Sequence, residues 1–420
     1  MNLDSLTVQG AIALGLLLIQ APATAILMSR LLKGPSRRPP IEPCTATPDQ
    51  LGTVSAIVPT LNEAKRIRPC LEGLSSQSYE VREIIVVDSR SSDGTLDLVK
   101  AAAAKDPRFR PITDEPLPPG WVGRPWALHT GFLHSSDNSE WILGIDADTQ
   151  PRPGLVAALV KTAQEEGYDL VSLSPQFILK YRGEWWLQPA LLMTLLYRFD
   201  SAGVNSDTPE RVMANGQCFL CRRSVLAAVG GYTSARSSFC DDVTLARNIA
   251  AAGYKVGFLD GAKVLKVRMY EGAAETWKEW GRSLDLKDAA SPAQVWSDLW
   301  LLLSVQGLPL PILLVSSLLL CTWGRHEGIW GRHGGIWGRH GGTAPTFVLL
   351  LLALNLFLVL IRVGLLFAIA PSYQGKNQKS PHFLDLPFTF YLSPLADPLA
   401  FVRILLSSLK KPTQWRGRSY

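Results

Sequence analysis

Acidic residues recur just after three short apolar runs. Pro59-Thr60-Leu61-Asn62-Glu63 follows the run at 54–58. Asp88 and Asp93 follow the run at 84–87, and Asp146-Ala147-Asp148 follows the run at 141–145. An Asp-x-Asp pair at a strand end offers oxygen ligands to Mg2+ or Mn2+, hard ions that also take phosphate oxygens. The chemistry implied is departure of a metal-bridged diphosphate. One acid at a strand end is ordinary, and Asp93 taken singly reads as a helix N-cap. Three in succession point to a shared site. Cys218 and Cys221 have C-x-x-C spacing, but strand alternation puts them on opposite faces, and no second pair accompanies them. The glycine fingerprints of dinucleotide-binding and P-loop proteins are missing from this region.

The apolar runs have strand length, and further candidates lie at 170–173 and 218–221. Helical patterns fill the intervals at 63–76, 93–104, 125–134 and 153–166. This alternation predicts parallel β-α-β units in one layered α/β domain over residues 51–290. Ligands of such sheets bind outside the carboxyl ends of the strands, where the acids fall.

The chain has 420 residues, 47% hydrophobic and 19% charged, which excludes a disordered protein. The apolar residues concentrate at 5–29, 299–322 and 346–370. A membrane-spanning helix needs about 20 such residues. Arg30, Lys33, Arg37 and Arg38 follow the first run, so the positive-inside rule puts the N-terminus outside and the catalytic domain in the cytoplasm. A multi-pass integral membrane protein is expected. The net charge of +6 is modest and clusters beside these runs, which points to the lipid bilayer and not to nucleic acid. Six scattered cysteines suit a reducing compartment.

Residues 323–345 hold a Trp-Gly-Arg-His repeat, read as a tolerated duplication in an outside loop. Residues 384–409 are apolar but contain Pro387, Pro394, Pro398, Asp385, Asp397 and Arg403, and a basic tail follows. That segment reads as re-entrant or interfacial. Residues 185–199 suit an interfacial helix or a buried core helix.

In order, the motifs at 59–63, 88–93 and 146–148, with Cys240-Asp241-Asp242-Val243-Thr244-Leu245-Ala246, resemble family 2 glycosyltransferases of the GT-A fold. The resemblance covers about residues 51–290. It implies inverting transfer of a sugar from a UDP- or GDP-sugar donor, with Mg2+ or Mn2+ as cofactor. It makes Asp242 the general base, with Asp241 orienting it or binding the acceptor. Asp148 would hold the metal, and Asp146 the metal or ribose. Pro59, Asn62, Glu63, Asp88 and Asp93 would serve the nucleotide. The stretch Gly120 to Ala127 resembles that of lipid-directed members, with Arg124 in place of the usual Lys as a phosphate contact. The stretch 391–398 is similar to that of cyanobacterial carotenoid 2′-O-glycosyltransferases, which implies a membrane lipid acceptor, a myxol-type carotenoid. Processive synthases carry Gln-x-x-Arg-Trp, which is not intact here. Trp280 and Arg282 stand in its place as acceptor platform and phosphate clamp, so transfer of one sugar is expected.

Other readings compete. Asp241 and Asp242 could cap a helix, and Arg282 could lie on a solvated face. The acceptor could be a hopanoid, a ceramide-type lipid or a polyprenyl phosphate. A nucleotidyltransferase or a catalytically silent membrane scaffold would be a different class altogether.

Overall fold

The computed structural model describes residues 3–204, 208–280, 284, 286–326, 343–375, 385–409, 414–415 and 418–419. Ten strands build the central domain: β1 (Val54–Thr60), β2 (Val81–Asp88), β3 (Phe109–Thr113), β4 (Trp141–Ile145), β5 (Thr149–Pro151), β6 (Leu170–Ser174), β7 (Gln176–Phe177), β8 (Cys218–Arg222), β9 (Val256–Asp260) and β10 (Leu265–Val267). Seven of them form one sheet in the order β3-β2-β1-β4-β8-β6-β9, and β5-β10-β7 form a small second sheet. Strands β3, β2, β1 and β4 are parallel.

The expectation of uniformly parallel units fails at β8, which runs antiparallel to both β4 and β6. Strand and helix alternation carries no direction, and the chain reaches β8 only after a long excursion through a helix outside the sheet. The strand order reverses at β1, whose neighbours β2 and β4 lie on opposite sides. The crevice at that reversal is where open α/β sheets take ligands.

Both faces of the sheet are covered, and the side chains of β1 divide between them. Val54, Ala56 and Val58 enter one core cluster, while Ile57 enters the other with Ile85 and Val87 of β2. A doubly covered strand therefore reads as a continuous apolar run. Cys218 and Cys221 fall into these two separate clusters, as alternation predicts.

The helices of the domain are α2 (Arg68–Ser75), α3 (Thr95–Ala103), α4 (Gly123–Leu133), α5 (Leu155–Glu166), α6 (Arg182–Arg198), α7 (Arg223–Ala228), α8 (Asp241–Ala251) and α9 (Gly272–Glu275); α1 (Leu3–Leu31) precedes them. Helix α4 approaches β1 so closely that a Cβ at Gly131 would collide with the Ile57 side chain. The helix expected from residue 63 begins at Arg68 instead. The reason is local. Asn62 has φ +56, and the backbone amides of Asn62 and Glu63 donate to Ser91 Oγ and Thr95 Oγ1, which holds 62–63 out of helical geometry.

Helix α6 is a core helix and not an interfacial one. Trp185, Leu187, Ala190, Leu191, Met193 and Tyr197 are buried in a cluster shared with the apolar helices. Those helices are α1, α10 (Pro292–Leu302), α11 (Pro309–His326) and α12 (Thr343–Ile369). Three helical stretches, Val8–Ser36, Pro292–Ser317 and Thr346–Ser372, are long and apolar enough to cross a membrane. The run expected at 299–322 is not one regular helix. It starts earlier, and a π-helical turn at Leu303–Gly307 interrupts it before Pro309, which lacks the amide that would continue the ladder. Residues 327–342, most of the Trp-Gly-Arg-His repeat, lie outside the described residues.

The terminal segment folds back on this bundle as α13 (Phe388–Tyr391), a 3-10 turn at Ser393–Ala396 and α14 (Asp397–Leu409). Asp397, Ala400, Ile404 and Ser407 form the buried face of α14, while Leu399, Val402, Leu406 and Leu409 are exposed. Asp397 pairs with Arg362 of α12 at 2.8 Å, both side chains nearly inaccessible. In α1, Gln20 exchanges two 3.0 Å amide bonds with Asn355 of α12.

Candidate active site

A cleft of about 1220 Å³ opens at the carboxyl ends of β1 and β4. Its lining is of two kinds. Asn62, Glu63, Arg124, Asp146, Asp148, Asp241 and Asp242 are polar or charged. Phe177, Leu192, Leu195, Met213, Trp280 and Leu286 are apolar.

Among the polar residues Arg124, in the first turn of α4, is the hub. Its Nε donates to Asp146 Oδ1 at 2.9 Å, Nη1 to Asp241 Oδ2, and Nη2 to the carbonyl of Gly216 at 2.7 Å. Only glycine fits at 216, because a Cβ there would occupy the guanidinium's place. The sequence reading gave Arg124 a phosphate contact. Here three of its five donors go to protein acceptors, and it ties the Asp-x-Asp loop after β4 to the start of α8. Burial works to lower its pKa, but Asp146, Asp241 and Asp242 together raise it.

Asp241 and Asp242 occupy the first turn of α8, after Cys240. Asp241 is buried, and burial pushes its carboxyl up to about 7 although Arg124 opposes the shift. Asp242 is half-buried. Its Oδ2 accepts from Gly216 N at 2.6 Å, and its Oδ1 accepts from Val243 N at 2.9 Å. These bonds orient the carboxylate toward the cleft and leave each oxygen a further lone pair. Neither acid is the N-cap residue.

Asp146 and Asp148 follow β4. Burial raises the pKa of Asp146, and Arg124 opposes that. Asp148 is buried, and burial together with Asp146 pushes it up to about 7. Among the described residues its Oδ1 has no hydrogen-bond partner. An orphaned carboxylate oxygen in a cleft of acids suits a divalent cation. Among the described residues no group of three or more His, Cys, Asp or Glu could hold a metal. The residues therefore fit an ion that takes one or two carboxylates and completes its shell from phosphate and water, as Mg2+ does.

Asn62 and Glu63 line the cleft, as expected of nucleotide contacts, but Asp88 and Asp93 are not among the described lining residues. They build the loop that carries the first two. Asp88 accepts from Thr60 Oγ1 at 3.2 Å and from Ser91 N and Oγ at 3.0 and 2.6 Å. Asp93 accepts from Ala64 N at 2.9 Å and from Thr95 N at 3.1 Å. Pro59 lines a small recess behind the cleft with Thr60 and Ser89. Arg282 lies outside the described residues.

Trp280 ends a π-helical turn at Thr276–Trp280 and is buried. Its ring lies 5.8 Å from Phe177 and 6.5 Å from Tyr270. Two cleft residues were not singled out from the sequence. Arg66 bonds Glu275 Oε1 at 2.9 Å and the Met269 carbonyl at 2.6 Å. It stands three residues after Glu63, and that proximity was its only signal. Arg403 reaches the cleft from α14, and nothing near it in sequence marks it.

A mixed sheet with acids at its reversal point and a second acid pair opening a later helix defines a GT-A architecture. Residues 55–230 match the model of glycosyl transferase family 2. The 4,4'-diaponeurosporenoate glycosyltransferase of Staphylococcus haemolyticus is 24% identical over 233 residues, which is 55% of this chain and 61% of that protein. The probable glycosyltransferase YdaM of Bacillus subtilis is 26% identical over 235 residues, 56% of this chain and 54% of its own. This chain thus spans less than two thirds of either relative. A mannosyltransferase from Pyrobaculum calidifontis, solved with GDP-Man and Mn2+, aligns over 83% of this chain and 99% of its own at 19% identity, with a TM-score of 0.46.

Proposed function

We propose that this protein moves one sugar from a nucleotide-sugar to a hydroxyl of a membrane lipid. One observation carries the reading: a single cleft is lined both by carboxylates at the sheet's reversal point and by Phe177 and Trp280 of the cluster shared with the membrane-type helices. The donor, a UDP- or GDP-sugar, lies against Asn62 and Glu63. The acceptor chain lies against Phe177, Leu195 and Trp280.

In this reading Asp242 takes the proton of the acceptor hydroxyl while that oxygen attacks the anomeric carbon. The bond from that carbon to the diphosphate breaks, its electron pair leaves with the diphosphate, and configuration inverts. A positioned base contributes about 10²–10⁴-fold. Arg124 holds Asp241 and Asp146 apart at a set distance, so that base side and leaving-group side keep their register. Mg2+ or Mn2+, held by Asp148 with Asp146, would neutralise charge on the departing diphosphate. The spans and the basic residues after α1 support a multi-pass protein with the cleft in the cytoplasm, open to soluble donor.

For the acceptor we favour the 2′-hydroxyl of a myxol-type carotenoid. A second reading has support in the name of the Staphylococcus haemolyticus relative, which is a carboxylate. A carboxylate acceptor is already deprotonated at neutral pH and needs no base. Asp242 therefore discriminates between the two.

The test is sugar transfer in isolated membranes holding wild type or Asp242→Asn. Labelled UDP- and GDP-sugars are supplied with Mg2+, with Mn2+ or with EDTA, and the lipids and pigments are extracted. A labelled hydroxy-lipid with wild type alone, abolished by EDTA, is expected. Equal labelling by the variant removes Asp242 as base and favours the carboxylate acceptor. No transfer and no nucleotide binding from any donor would leave a silent scaffold.

A further inference from the structure

One described residue of the cleft lining comes from outside the sheet domain. Arg403, on α14, lines the cleft, yet its guanidinium is committed to protein acceptors. Its Nε donates to the Trp277 carbonyl at 2.6 Å, and Nη2 to the Lys278 carbonyl at 3.3 Å. Nη1 donates to Ser407 Oγ, one turn along its own helix, at 2.7 Å. The guanidinium also stands 5.7 Å from the Trp277 ring centre.

The two carbonyls belong to the π-helical turn Thr276–Trp280. Arg403 meets both at once. The same turn carries Trp280, whose ring rests on Phe177 and Tyr270 in the cleft wall. Helix α14 is in turn fixed at both ends. Asp397 is paired with Arg362 of α12, and Lys287 Nζ donates to the Ser407 carbonyl at 2.7 Å.

We infer that Arg403 is a positioning residue for the acceptor: it sets the place of Trp280 by holding the turn that bears it. The geometry of the acceptor wall is then set by the terminal helix and, through Asp397, by the apolar bundle. This rests on the reading of the apolar lining as the acceptor wall.

The experiment uses full-length protein in nanodiscs as wild type, Arg403→Ala and Arg403→Lys. Three quantities are read: amide hydrogen exchange, nucleotide-sugar affinity, and the KM for a dihydroxy-carotenoid carried in the nanodisc. Hydrogen bonds from a charged donor are worth about 1.5–3 kcal/mol, so exchange at residues 277–280 rises about 10-fold or more in Arg403→Ala. Exchange in β1 and β4 stays unchanged. Acceptor KM rises by a similar factor while donor affinity holds, and Arg403→Lys, which can meet one carbonyl, recovers part of the loss.

Wild-type exchange at 277–280 in Arg403→Ala overturns the inference. So does a rise that spreads through β1 and β4, or a joint loss of donor affinity and acceptor KM. If wild type transfers no sugar while Arg403→Ala still loosens 277–280 alone, the acceptor reading falls and the positioning of the turn stands.

Discussion

Arg124 and Arg362 are both buried arginines bonded to aspartate, and their surroundings balance charge differently. Arg362 faces Asp397, one cation against one anion, within the apolar bundle. Arg124 bonds Asp146 and Asp241, with Asp242 and Asp148 close by. The bundle pair is neutral, as surroundings without water require. The cleft keeps an excess of negative charge, and two of its acids are pushed up to about 7. A fold does not retain such an excess for its own stability, because buried like charges destabilise it. The excess is what a cationic ligand would relieve. Charge balance thus separates an arginine that serves packing from one that serves a site.

Four substitutions test that contrast, from the largest effect down. Asp242→Asn should lower transfer to a hydroxyl acceptor by about 10²–10⁴-fold while nucleotide binding persists, measured as initial rates in membranes. If binding fails as well, Asp242 belongs to the donor end and the base must be sought elsewhere. Arg362→Met strands Asp397 in the bundle and should destabilise by about 3–5 kcal/mol, read as the shift in unfolding free energy in detergent. A negligible shift would mean that water reaches the pair.

Gly216→Ala drives a methyl into the Arg124 guanidinium and should destabilise by about 1–3 kcal/mol, with loss of activity beyond what stability explains. Unaltered activity would show that the Arg124 bridge is dispensable. The smallest change is expected from Arg362→Met combined with Asp397→Leu. Replacing both partners of a buried pair is neutral or stabilising, by about 1–4 kcal/mol. A double variant as unstable as the single one would break the claim that this pair is merely balanced.

Most of the sheet was legible in the sequence because doubly covered strands leave contiguous apolar runs, as Val54 to Val58 and Trp141 to Ile145 do. The acids after those runs marked the site. The direction of β8 was not legible, since apolar periodicity is the same in either direction. The loop bonds of Asp88 and Asp93 were not legible for a related reason. A strand-end acid has the same sequence signature whether it faces a ligand or accepts from Ser91 and Thr95. Long-range partners were invisible. Arg362 lies 35 positions from Asp397, and Arg403 lies 126 from Trp277. Arg124 was found through its motif, but its bond to Asp241 spans 117 positions and had no local trace.

The Gln20–Asn355 exchange and the reach of Arg403 bear on anyone who would trim this protein for solubility. Cutting away α1 removes both amide bonds between Gln20 and Asn355 and leaves the Asn355 amide only its bond to the Leu351 carbonyl. Cutting after residue 290 spares the whole central sheet and its acids, yet discards Arg403, which bonds the turn bearing Trp280. Such a fragment would keep a donor pocket with a loosened side, a shape suited to wasteful hydrolysis of the sugar nucleotide. Useful preparations will carry the full set of helices, and the choice of amphiphile becomes part of the assay chemistry.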